Sequence, residues 1–187
     1  MRRAPLIAAA LAVWSAGAVR ASPPGASSRP EPDPAAFSRV PVLHQGRLKP
    51  WDTVARSSLL LLSGKQTLTR EGRRLEASRW LLDLLTRPAR ADSDAVFKIE
   101  DMELLGALGL PERPGRYAFK DMTPRLQSLE AQYDAAAAAE PAARTRFQRA
   151  VFRLGEGVIF YQRLKHTLLP PGEKDLGPSI AAYSRAL

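Results

Sequence analysis

Phe147, Val151, Leu154, Val158 and Tyr161 step by four, three, four and three residues. Side chains at that spacing fall on one face of an α-helix but on both faces of a strand, so the segment is committed to helix. Arg149, Arg153, Glu156 and Arg163 lie away from the seam and face water. Glu140-Pro141 ahead of it is a start signal. Thr123-Pro124 opens an earlier helix, a cap residue followed by proline at the first helical position, which carries Leu126, Leu129 and Tyr133 into the alanines at 135–139. The two predict a C-terminal antiparallel helix hairpin. Such a seam serves either as a coiled-coil contact or as packing against the chain's own helices; the seam is short and the chain needs a core, so self-packing is the expectation.

Shorter helices are punctuated in the same way. Residues 40–43 are extended because Pro41 biases its predecessor away from helix, and residues 44–47 form a turn in which Gly46 is free to take positive φ. Pro50-Trp51-Asp52-Thr53 starts a helix with Asp52 or Thr53 as its cap; Val54, Ala55, Ser58, Leu59 and Leu62 share one side, and Gly64 ends it. A second helix over residues 75–86 has the stripe Trp80, Leu81, Leu84 and Leu85, and Pro88 stops it. Residues 95–99 read as a short strand. Asp101 caps a brief helix through Met102, Leu104, Leu105 and Leu108 that Gly109 terminates, and Tyr117-Ala118-Phe119 is a further extended piece. The expected fold is mainly α: a small helical domain over residues 37–187 with a C-terminal antiparallel helix hairpin and one or two short extended segments.

Residues 1–21 have the form of a cleavable export signal. Arg2-Arg3 is the basic start, residues 4–19 are apolar, and cleavage is expected after Ala21. Residues 22–36, dense in Pro, Ser and Ala, form an extended linker. No later stretch approaches a membrane span, the longest leucine run being residues 59–62. A periplasmic or otherwise extracytoplasmic protein is expected. Cysteine is absent, which removes disulfides, thiol catalysis, thiolate metal sites and covalent haem attachment. The net charge is +9, but three of the 28 cations are arginines in the first twenty residues, so the remainder is moderately basic. Anionic partners are favoured by that balance. Nucleic acid is disfavoured, since no basic run alternates with aromatics.

Residues 40–56, VPVLHQGRLKPWDTVAR, resemble a segment of roughly LPV-x-x-x-GR-[IVL]-KP-x-DT-x-AR in the extracytoplasmic part of bacterial cytochrome c assembly proteins of the CcsA/ResC and ResB type, system II. Residues 80–85 with 96–101, and residues 104–110 with 117–122, are similar to the same region in the same order. The resemblance implies a place in the membrane machinery that moves haem outward and joins it to an apocytochrome. Family members of this type carry many transmembrane helices, a tryptophan-rich haem-handling loop and haem-ligating histidines, none of which is matched here. What carries over is a non-catalytic accessory domain with a polytopic membrane cytochrome c assembly protein as partner, and with haem or apocytochrome c as further contacts.

The motif's own chemistry stands beside that resemblance. Gly46, Pro50, Asp52 and Thr53 are its structural residues, and Arg47, Lys49 and Trp51 are the candidates for partner binding. Arg47 has two readings, a fork clamping a carboxylate or backbone carbonyls and an anionic contact facing a partner. Trp51 reads equally as a core residue. His44, in a turn, and His166, near the end of the last helix, are the only imidazoles, so no metal site and no ligated cofactor is expected; loose contact of haem propionates with Arg47 and Lys49 is the most the pattern supports. The carboxylate pairs Glu100-Asp101 and Asp92/Asp94 read as solvated, with no nucleophile or phosphate loop nearby, so no catalytic residues are assigned. The alternative function is an envelope binding module that docks on an anionic membrane surface or an acidic protein through Arg-rich helix faces.

Overall fold

A computed structural model describes residues 33–44, 46–112 and 114–168. The expected signal (residues 1–21) and most of the expected linker (residues 22–32) lie outside the described residues. The remainder of that linker is not extended. Helix α1 (Pro34–Arg39) begins at Asp33, whose carboxylate accepts a hydrogen bond from the Ala35 N–H at 2.8 Å, with Pro34 at the first helical position. Asp-Pro is a cap and first turn, which corrects the boundary from Phe37 back to Asp33. The short helix sets the Phe37 ring on Trp51, with centroids 5.2 Å apart and planes at 19°.

Strands β1 (Pro41–His44) and β2 (Arg47–Pro50) form an antiparallel hairpin, and Gly46 turns at φ 73°. Helix α2 (Trp51–Ser63) follows directly and closes on Gly64 at φ 70°. Its inner side is the expected one, with Val54, Ala55, Ser58, Leu59 and Leu62 all buried. The expected cap is not formed. Pro50 occupies the cap position with no side-chain bond, because the helix starts one residue before Asp52 and so places Asp52 and Thr53 inside the first turn. Asp52 accepts instead from Arg56 Nε at 2.7 Å, one turn on, where its charge also suits the helix N-terminus.

The hairpin of β3 (Thr67–Arg70) and β4 (Arg73–Glu76) was not foreseen from the sequence pattern. Glu71 and Gly72 both take positive φ, 51° and 76°, the geometry of a two-residue turn that matches strand twist. Leu75, expected in a helix, lies on β4, and α3 (Ala77–Thr86) starts after it with Trp80, Leu81, Leu84 and Leu85 fully buried. Pro88 begins a new turn, α4 (Pro88–Ala91). Strand β5 (Ala95–Ile99) leads to α5 (Met102–Ala107), capped by Asp101 accepting from the Leu104 N–H at 3.1 Å. Strand β6 (Gly115–Ala118) returns antiparallel to β5. Phe119, expected to continue the extended piece, instead opens α6 (Phe119–Met122), which a 3-10 turn (Thr123–Arg125) joins to α7 (Leu126–Ala138). Thr123 is not the N-cap of α7: it closes α6 as its C-cap, its hydroxyl donating back to the Phe119 carbonyl at 3.1 Å.

Helix α8 (Arg146–Lys165) begins later than Pro141, which falls in a turn. Thr145 Oγ1 accepts from the Gln148 N–H at 3.1 Å while Gln148 Oε1 accepts from the Thr145 N–H at 2.9 Å, satisfying two free donors reciprocally. Helices α7 and α8 form the expected hairpin. Tyr133 stacks on Phe152 at 5.3 Å and donates its hydroxyl to Glu156, and Arg144, in the connection, donates to the Ala136 carbonyl at 2.8 Å. The seam is spent internally: Val151, Leu154, Val158 and Tyr161 are buried, with Tyr161 5.2 Å from Phe97 and 5.1 Å from Phe119.

Helices take the larger share, yet the described residues also hold three two-stranded antiparallel sheets. The fold is mixed α and β, which corrects the mainly α expectation and its one or two extended segments. Short arginine-rich strands such as residues 73–76 lack the apolar alternation by which half-buried strands are recognised. Among the described residues no helix is long and apolar enough to cross a membrane.

Candidate functional site

In an antiparallel pair, directly opposed residues share a face. The register of β1 and β2 therefore puts Pro41, Pro50, Leu43 and Leu48 on one side of the hairpin, and Val42, Lys49, His44 and Arg47 on the other. The two faces differ in burial. Val42 packs against the core, with His44 and Lys49 half-buried, whereas Leu43 and Leu48 remain 74% and 76% exposed. Burying a leucine is worth about 1.5–3 kcal/mol, and this pair forgoes most of it. The base of the arm is fixed nonetheless: the Trp51 N–H donates to the Val40 carbonyl at 3.0 Å, and Trp51 is half-buried against Phe37 and the core.

All the residues singled out in the motif thus fall on one hairpin and the turn of helix behind it, in different roles. Gly46 makes the turn and Pro50 precedes the helix. Trp51 is an anchor for the arm rather than an exposed contact. Arg47 is exposed at the strand end opposite His44, and among the described residues no carboxylate or carbonyl is clamped by it. Its charge is left outward, on the hairpin face opposite the leucine pair. His166 sits at the C-cap of α8, where its backbone N–H donates to Gln162 at 3.0 Å. Among the described residues no cluster of three or more His, Asp or Glu is arranged to hold a metal ion.

The fork clamp exists, but it is built by Arg70. Its Nε and Nη2 reach the two oxygens of Asp94 at 2.8 and 2.5 Å, and Nη1 reaches Asp83 at 2.5 Å. Only 12% of the Arg70 side chain is exposed, with Asp83 and Asp94 almost wholly buried. The hydrogen bonds it donates to Asp94 foremost, and then to Asp83, hold the guanidinium above its usual range against the opposing effect of burial. Three segments meet there: the end of β3, the middle of α3 and the turn before β5. Asp83 interrupting an apolar helix stripe was the one sequence signal for it.

The carboxylates read as solvated are likewise engaged. Asp92 accepts from the Tyr161 hydroxyl at 3.0 Å and from Lys165 Nζ at 2.7 Å. Burial first, and the Asp92 charge second, push the Tyr161 phenol well above its ordinary range. Glu100 pairs with Lys98 at 2.8 Å, a hydrogen bond that lowers its pKa, and Asp101 is the α5 cap. These groups bind the fold together, whereas Leu43, Leu48 and Arg47 of the β1–β2 arm face outward. No protein-family model matches the chain. A search of curated proteins also gives no match.

Proposed function

We propose that this chain is a non-catalytic extracytoplasmic subunit of a cytochrome c assembly complex, and that it docks on its polytopic membrane partner through the β1–β2 arm. The observation that carries the reading is the cross-strand pair Leu43 and Leu48, exposed on an arm whose base is anchored by Trp51. Paired leucines left in water are a standing cost to a lone chain and a ready contact for a partner. They fall within residues 40–56, the stretch that resembles the assembly proteins, and Arg47 stands exposed on the other face of the same hairpin. Lys49, half-buried on the same face as Arg47, holds the second charge near the base of the arm. Haem, as cargo of such a complex, would meet these cations through its propionates and not through iron ligation. Export through a signal at residues 1–21 completes the reading, with the mature chain starting at Ser22.

The test is affinity purification of the tagged full chain from detergent-solubilised membranes of its own organism. The expected result is co-purification of a polytopic cytochrome c assembly protein. Recovery without any such protein, together with salt-sensitive binding to anionic vesicles, would replace this reading with an envelope module that docks on the membrane surface.

A further inference from the structure

A second surface lies away from the arm, between the C-terminal half of α2 and the N-terminal half of α8. It is a groove of about 360 Å³. One rim carries Leu60 and Leu61, 46% and 64% exposed, on the side of α2 that does not enter the core. Ile99 and Leu104 contribute buried apolar walls. Facing the leucines, α8 presents Arg146, Arg149 and Arg153 at successive intervals of three and four residues, a row of like charge on one helix face. Such a row of like charge is unfavourable to the isolated helix.

The acids in the groove do not neutralise this row. Glu100 is taken by Lys98 at 2.8 Å, and Asp101, already the α5 cap, lies 3.3 Å from Arg146. Arg149 donates to the Arg144 carbonyl at 2.5 Å and keeps its full charge, and Arg153 makes no ion pair with any described carboxylate. Arg153 acts on Glu100 only through space, helping to lower its pKa, and with Lys98, Arg146, Arg149 and Arg153 set against Glu100 and Asp101 the lining keeps an excess of positive charge at the edge of an apolar recess.

We propose that this groove binds a short acidic peptide segment of a partner protein, with one apolar side chain seated between Leu60, Leu61 and Ala150 and flanking carboxylates held by Arg149 and Arg153. The charge complementarity selects an acidic occupant, and the recess selects a side chain over a bilayer. A lipid surface would need its apolar contacts to protrude, whereas Ile99 and Leu104 lie buried in the recess. Arg–carboxylate forks then supply orientation and the leucines supply burial. The site is independent of the β1–β2 arm.

The experiment is fluorescence anisotropy of the purified full chain with a labelled Glu-Glu-Leu-Phe-Glu-Glu peptide, alongside its Lys-for-Glu counterpart and phosphatidylglycerol vesicles. The acidic peptide is expected to bind and to weaken as salt rises. The Lys peptide should not bind. Arg153→Glu and Leu61→Ser, both at exposed side chains, should each lower the affinity by about fivefold or more while leaving the melting curve in place. A Leu43→Asp variant in the arm should bind the peptide as the parent does, so that failure of the groove and failure of the arm are told apart. Absence of peptide binding, unchanged affinity in both groove variants, or vesicle binding lost in those same variants would overturn the proposal.

Discussion

Arg70 and Arg47 are both arginines at strand ends, and the fold uses them in opposite ways. Removing the Arg70 side chain leaves Asp83 and Asp94 buried without their shared cation, so Arg70→Ala should lower stability by about 3 kcal/mol or more in urea unfolding. Arg47→Ala should leave it within about 0.5 kcal/mol, because nothing in the fold leans on that side chain. Asp52→Ala belongs with Arg47: its i,i+4 partner and its place in the first turn are together worth only about 0.3–1 kcal/mol. Tyr161 adds a pH dependence. Its pKa is raised in the folded chain, chiefly by burial, so the folded chain keeps a proton that the unfolded chain loses. The stability this gives is complete below about pH 10 and drains away as the pH rises beyond it. Thermal melts above that pH should therefore fall more steeply in the parent than in Tyr161→Phe.

The elements that were legible in the sequence are those whose reason for existing is local. The α8 seam, the α2 inner face with its closing Gly64, and the Asp101 cap each follow from spacing within one helix, and each is found. The β3–β4 hairpin was not legible. Its strands are short and cationic, and Arg70 is drawn inward by two carboxylates 13 and 24 residues away, a tertiary cause without local spacing. Cap positions failed where two polar residues competed near one boundary, as with Asp52 and Thr53, or where a later reciprocal pair such as Thr145 and Gln148 was stronger than Glu140-Pro141. For the site, the motif's residues were found together, but the exposed leucines that define its outer face were not distinguished from core residues by sequence. The α7–α8 contact supplies a test of its own. A methyl group on Gly155 would run into the Tyr133 ring, which is held by Phe152 and Glu156 and has little room to turn. Gly155→Ala should cost about 1–3 kcal/mol and loosen the hairpin, read as faster amide exchange in α7.

The molecule as a whole divides its chemistry cleanly: acids and arginines that meet inside tie strands to helices, while the β1–β2 arm keeps an apolar pair and a cation turned outward. Such a division suits a scaffold that recognises a partner. With its two histidines at a strand end and a helix C-cap, the purified chain should give no sharp six-coordinate haem spectrum on titration, and any association should decline with salt. A stoichiometric, salt-resistant spectrum abolished by His44→Ala would make it a haem carrier. The arm itself is tested by the double variant Leu43→Asp, Leu48→Asp, expressed in place of the parent and followed by thermal melting and by recovery of the polytopic assembly protein. The melting temperature should hold within a few degrees, since both side chains already lie in water, and the membrane partner should be lost. Retention of the partner at parental yield, or collapse of the fold, would contradict an arm that is built for docking and spared by the core.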